Sequence, residues 1–224
     1  GFNVGVGDEG GFAPDLDQDE DAIKYVLDAI IKAGFEPGKD FGLALDIAAT
    51  EMKNEAAKIG KDGYLFWKTN LYRETDEMIE YLSNLVERYP IVSIEDGLAE
   101  DDWKAWSKFQ SKVGAKIMTV GDDLYVTNPS RILKGIQNRV SNAVLIKLNQ
   151  IGTVTETLNA IKIAKNAGMK IIVSHRSGET EDTFISDFAV GVGSDYIKAG
   201  APTRTDRVAK YNRLLNIENE IIKL

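Results

Sequence analysis

The sequence predicts an α/β protein built as an incomplete (β/α)8 barrel of about six strand–helix units. Two observations carry this expectation. Six short β-type apolar runs recur along the chain, Phe41 to Asp46, Ile91 to Glu95, Ala115 to Asp122, Ala143 to Lys147, Lys170 to His175 and Asp195 to Lys198. Each ends in one ionisable residue and leads into a helical pattern. From Glu95 to Lys198 the terminal residues also fall 27, 25, 28 and 23 positions apart, the length of one strand–helix unit. Alternating strands and helices imply parallel pairing with right-handed crossovers. A doubly wound sheet would share that pattern, but only a barrel turns every strand's carboxyl end toward one site.

The elements follow in order. The chain opens on Val6-Gly-Asp-Glu-Gly-Gly-Phe-Ala-Pro14, a glycine-rich loop without the order of a Walker loop or a dinucleotide fingerprint. Ile23, Val26, Leu27, Ile30 and Ile31 share one helix face, and Gly34 stops that helix. The gap from Asp46 to Glu95 is 49 residues, roughly double a unit. Glu51 to Thr69, rich in Lys, Gly and aromatics, therefore reads as an insertion before a helix over Thr75 to Arg88. Asn128-Pro129 is an N-cap with proline at the first helical position. Thr153 to Ala167 is a helix stopped by Gly168. With six strands, the runs ending at Asp46 and Lys198 have open edges, and Leu43 and Ile197 are expected as barrel-interior residues short of neighbours.

Composition narrows the function. The 224 residues are 43% hydrophobic and 28% charged, and 27 basic against 35 acidic residues give a net charge of -8 with the signs interspersed. That balance argues against nucleic acid as a partner. There is no cysteine and His175 is the single histidine, so any metal must be held by oxygen. No run approaches the ~18 apolar residues of a membrane span, and the first residues carry no basic signal region. The expectation is a cytoplasmic protein. Because Gly1 opens directly into the glycine-rich loop, the chain is expected to be part of a longer polypeptide.

The strand ends supply the chemistry. Asp46, Glu95 and Asp122 would bring three carboxylates to one rim, where their repulsion calls for a hard divalent cation. Magnesium suits them better than calcium. Lys147 would project from the same rim beside a second lysine, Lys198, as a general base. His175, Arg176 and Ser177 offer an imidazole, a guanidinium fork and a hydroxyl, a set that suits a phosphate or carboxylate. The glycines around Glu9 would let it reach the site.

Gly7-Asp-Glu-Gly-Gly-Phe-Ala-Pro14, Ser93-Ile-Glu-Asp96, Gly121-Asp-Asp-Leu124, Lys147-Leu-Asn-Gln-Ile-Gly152, Ser174-His-Arg-Ser-Gly-Glu-Thr-Glu-Asp182 and Ile197-Lys-Ala-Gly-Ala-Pro202 resemble the enolase family over the whole chain. Gly97 after Glu95-Asp96 resembles the bacterial and archaeal form. The resemblance implies reversible, magnesium-dependent dehydration of 2-phosphoglycerate to phosphoenolpyruvate in glycolysis, in the cytoplasm, with a secondary cell-surface or secreted presence, by a homodimer or higher homo-oligomer. It implies Asp46, Glu95 and Asp122 as magnesium ligands, Lys147 as the base at C2 and Glu9 as the acid that assists loss of the C3 hydroxyl. By the same resemblance His175 and Lys198 contact the substrate carboxylate and hydroxyl, Arg176 and Ser177 contact its phosphate, and Asp123 orients Lys147. A lysine base working with magnesium is the general pattern of that superfamily, not a result peculiar to these residues. Residues 1–224 then form the carboxy-terminal barrel domain, without the amino-terminal capping domain and first barrel strands. Two alternatives stand beside this, another superfamily lyase and a non-catalytic binding fragment.

Overall fold

The computed structural model describes residues 1–223. In chain order the elements are α1 (Asp19–Lys32), β1 (Leu43–Asp46), α2 (Ala49–Lys58), β2 (Tyr64–Phe66), β3 (Leu71–Arg73), α3 (Thr75–Arg88), β4 (Ile91–Glu95) and α4 (Trp103–Val113). They continue with β5 (Met118–Gly121), α5 (Pro129–Asn138), β6 (Ala143–Ile146), α6 (Leu148–Ile151), α7 (Val154–Asn166), β7 (Lys170–Ser174), α8 (Phe184–Gly191), β8 (Tyr196–Lys198) and α9 (Thr205–Ile222).

The six apolar runs are the six strands of one parallel sheet in the order β1-β4-β5-β6-β7-β8. It curls into an incomplete barrel with helices on its outer face, and no hydrogen bonds join β8 back to β1 among the described residues. The doubled gap holds more structure than an insertion implied. It forms α2 and an antiparallel hairpin of β2 and β3.

Local chemistry sets the helix boundaries. In α3 the Glu74 amide donates to Glu77 Oε2 at 2.8 Å as part of a capping box. Met78, Ile79, Leu82 and Leu85 of that helix are buried on one face. Asn128 Oδ1 accepts from the Ser130 amide at 2.9 Å, just ahead of α5. Thr153 Oγ1 accepts from the Glu156 amide at 3.1 Å to start α7.

The main core lies between the outer sheet face and the helices, and a smaller cluster of Val120, Ala143, Leu145 and Ile172 lies on the inner face. Leu43 and Ile197, expected inside the barrel, belong instead to the outer core. The cause is alternation along each strand, since Ile197 precedes the inward Lys198; β1 also carries a register shift against β4. Leu43 pairs with Ile91 while Ala44 pairs with Ser93, so Val92 is an extra residue in β4. Side chains alternate along β1, and Asp46 must reach the rim, so Ala44 shares its inner face and Leu43 and Leu45 face the helices. No helix among the described residues is long and apolar enough to cross a membrane.

Candidate active site

The carboxyl ends of the strands and the loops after them enclose a polar cavity of about 450 Å³. Glu9, Asp46, Asp122, Asp123, Lys147, His175, Arg176, Ser177 and Lys198 all line it. Glu95 lies directly beneath. It faces a second cavity of about 460 Å³ in the barrel interior.

The rim carboxylates are already paired with ammonium groups. Lys198 Nζ donates to Asp46 Oδ2 at 2.7 Å and to Glu95 Oε1 at 2.9 Å. Lys147 Nζ donates to Asp122 Oδ2. Glu95 is 7% exposed, and its carboxyl is pushed above the usual range by burial and then by the charge of Asp46, against the pull of Lys198. Burial works against the charged form of Lys198, but Glu95 and Asp46 outweigh it and raise its pKa. Lys147 and Lys198 line the same cavity, each seated on its own carboxylates. Asp123, expected to orient Lys147, makes no hydrogen bond to it among the described residues. Asp122 holds the lysine, and the Asp123 carboxyl is pushed upward by burial and by Asp122.

A second acidic group shares Asp122. Carboxylate oxygens of Asp96, Asp122 and Asp123 lie within 4.8 Å of one another, close enough to hold a metal ion. Asp96, however, accepts from the amides of Asp122 at 3.0 Å and Asp123 at 2.8 Å. Both of its oxygens are thus engaged in shaping the loop after β5. Burial dominates these bonds and pushes its carboxyl up to about 7. The carboxylates of Asp46 and Glu95 have no such backbone bonds among the described residues and are held instead by Lys198.

On the opposite wall, Ser177 Oγ donates to Glu9 Oε1 at 3.1 Å, and His175 Nε2 stands 3.3 Å from Glu9 Oε2. Burial pushes the Glu9 carboxyl up, but His175, Lys198 and the Ser177 hydroxyl outweigh it and hold it below its usual range. The glycine loop delivers Glu9 by docking on residues after β8. The Ala201 amide donates to Glu9 O at 2.8 Å, and Thr203 Oγ1 donates to Gly10 O at 2.6 Å. Gly10 has φ +86°, and a Cβ there would stand 2.6 Å from Thr203 Oγ1, so only glycine fits. Arg176 Nη1 donates to Asn149 Oδ1 at 3.0 Å.

Several supporting residues escaped the sequence reading. Thr127 Oγ1 accepts from the Lys147 amide at 2.9 Å and donates to Gln150 Oε1 at 2.8 Å. Gln150 Nε2 in turn donates to Asp122 Oδ1 at 3.3 Å. Thr127 lies in a loop with positive φ, which its sequence does not announce. Gln150 lay within the Lys147-Leu-Asn-Gln string, one helical turn from Lys147, and that spacing was the available signal. Arg207 and Lys210 on α9 are buried cations that bind the loop after β7, Lys210 through Glu179 Oε2 at 2.8 Å.

Residues 1–223 match the family described as enolase, C-terminal TIM barrel domain. Domains of this kind are lyase-type, act on small molecules and are typically metal-dependent, in keeping with an acidic rim facing a basic wall at the strand ends. With the match spanning the described chain and the curled parallel sheet as its frame, the chain belongs to the enolase C-terminal barrel family.

Proposed function

We propose that this domain carries the magnesium-dependent, reversible dehydration of 2-phosphoglycerate to phosphoenolpyruvate in cytoplasmic glycolysis. One observation carries the reading. The cavity joins a carboxylate rim occupied by two ammonium groups to a wall bearing Arg176, Ser177, His175 and Glu9. The donor set fits the proposed metal, because Asp46, Glu95 and Asp122 offer only oxygen and Lys147 and Lys198 already serve as their counter-charges. When bound there, magnesium supplies Lewis-acid stabilisation of the negative charge that develops on the substrate carboxylate.

The remaining work belongs to side chains of this chain. Lys147 is an ammonium while it donates to Asp122, so it must leave that carboxylate and lose a proton to solvent before Nζ, as the neutral amine, accepts the C2 proton. The electron pair left behind forms the C2–C3 double bond as the C3 hydroxyl departs, and Glu9 supplies the proton that converts it to water. Ionised in the free site, Glu9 must gain that proton once anionic ligand groups offset Lys198. Arg176 and Ser177 hold the phosphate and Lys198 the carboxylate.

The test is formation of phosphoenolpyruvate, read by its ultraviolet absorbance, from 2-phosphoglycerate and magnesium. It is run with the chain alone and with a polypeptide that supplies two closing strands. No product in either case would refute the proposal. A companion measurement follows melting temperature against magnesium concentration, since a ligand that binds only the folded state stabilises it. The wild type is expected to gain several degrees at saturation, and a D46N/E95Q/D122N triple variant none. An equal gain in both would remove these residues as ligands.

A further inference from the structure

We propose that Arg207 is a positioning residue that locks His175 in the neutral tautomer protonated on Nε2, so that the imidazole presents one N–H donor to an oxygen acceptor of the ligand. Arg207 is fully buried on α9, and its Nη1 is hydrogen-bonded to His175 Nδ1. A guanidinium has only donors. His175 Nδ1 must therefore be the acceptor, and the ring proton sits on Nε2.

The guanidinium is not free to swing away. Nη1 also donates to the Arg176 carbonyl at 2.8 Å, and Nη2 donates to the carbonyls of Asp8 at 3.0 Å and Ser177 at 2.7 Å. One side chain thus fixes the imidazole, the loop after β7 and the glycine loop that carries Glu9. At the other end of the ring Nε2 is buried and has no hydrogen-bond partner. Glu9 Oε2 lies 3.3 Å away without the alignment of a hydrogen bond. A buried donor left unpaired is costly, and this one borders the cavity.

The charged groups facing the ring are Arg207 from α9, Lys198 from β8 and Glu9 from the opening loop. Burial, Arg207 and Lys198 lower the histidine pKa, against the opposing field of Glu9. His175 is then no base. Nδ1 is blocked by the guanidinium and Nε2 already holds its proton, which leaves donation to a carboxylate or hydroxyl oxygen as the role open to it. That last step rests on the proposed substrate. The tautomer rests on the protein's geometry alone.

Because His175 is the single histidine, a long-range proton–nitrogen NMR spectrum of the 15N-histidine-labelled protein reads it without ambiguity. The wild type is expected to show the Nε2–H tautomer at pH 7 and a titration midpoint below that of a free imidazole. In R207Q the tautomers should mix and the midpoint rise above that of the wild type, with R207K intermediate. An Nδ1–H tautomer or an imidazolium in the wild type at pH 7 would overturn the proposal, as would an unchanged tautomer in folded R207Q. If R207Q does not fold, the wild-type spectrum and R207K decide. Adding 2-phosphoglycerate with magnesium should then shift the Nε2–H resonance. The expected tautomer without that shift would uphold the lock and count against the substrate.

Discussion

Lys147 on Asp122 and Glu9 on Ser177 are held apart by separate partners, and their proposed roles are separable too. In a reconstituted, active assembly, K147A should lower dehydration by about 10²–10⁴-fold and abolish exchange of the C2 proton with solvent. E9Q should slow dehydration comparably but leave appreciable exchange, because it acts on the departing hydroxyl after the proton is gone. Equal loss of exchange in both variants would contradict the assignment. His175 adds a stability prediction. Burial, with Arg207 and Lys198, places its folded pKa below the ordinary 6.5. Its contribution is therefore fully present above about pH 6.5 and is lost as pH falls toward the folded value, because the unfolded chain takes the proton first. Between about pH 7 and pH 5 the urea midpoint of the wild type should fall further than that of H175Q, and equal falls would show that His175 is not held neutral. At this scale the sequence revealed residues that end strands, because a lone ionisable group after an apolar run stands out. It hid Asp96 and Arg207, whose work is bonding to backbone across 26 and up to 199 residues.

The hairpin of β2 and β3 shows the same limit among elements. Its first strand is three residues long and buried throughout, with Tyr64 at 0% and Phe66 at 5% exposure. It therefore offers no alternation to read. The rim strands were legible because each couples an apolar run to a punctual charge. The hairpin nevertheless secures the loop after β4. Tyr64 Oη accepts from the Ala99 amide at 3.1 Å, and Trp106 Nε1 donates to the Ala99 carbonyl at 3.1 Å. Arg73 lies over the rings of Phe66 and Tyr81, 4.2 Å and 4.1 Å from their centroids. Y64F should cost about 1–3 kcal/mol in urea unfolding, because the buried Ala99 amide is left without an acceptor. A loss under about 0.5 kcal/mol would mean that water replaces the hydroxyl there.

For the whole molecule, the consequence of six strands is an interior open on one side. Val92 is 45% exposed and Tyr196 52%, and both line the inner cavity. The outer edges of β1 and β8 carry unpaired backbone groups. The chain alone is expected to self-associate as its concentration rises, and V92K should reduce the mass seen by light scattering. A monodisperse monomer over the same range would refute this. Turnover by the chain alone should remain below about a hundredth of that reached with closing strands supplied, because the open side of the sheet leaves the site accessible to water. The sequence showed the six strands of the parallel sheet and the ionisable residues at their carboxyl ends. It misassigned Leu43, although two-residue alternation counted back from Asp46 places Leu43 on the outer face.

The ammonium groups of Lys147 and Lys198, seated on the rim carboxylates, make entry of any metal an exchange rather than an addition. A sodium or potassium ion would displace one positive charge with another and forfeit a donor tethered by its own chain. A divalent ion brings more charge than the ammonium it evicts and returns a mobile lysine to the cavity. The rim would thus sort ions by valence before it sorts them by size, and its own lysines would set the threshold.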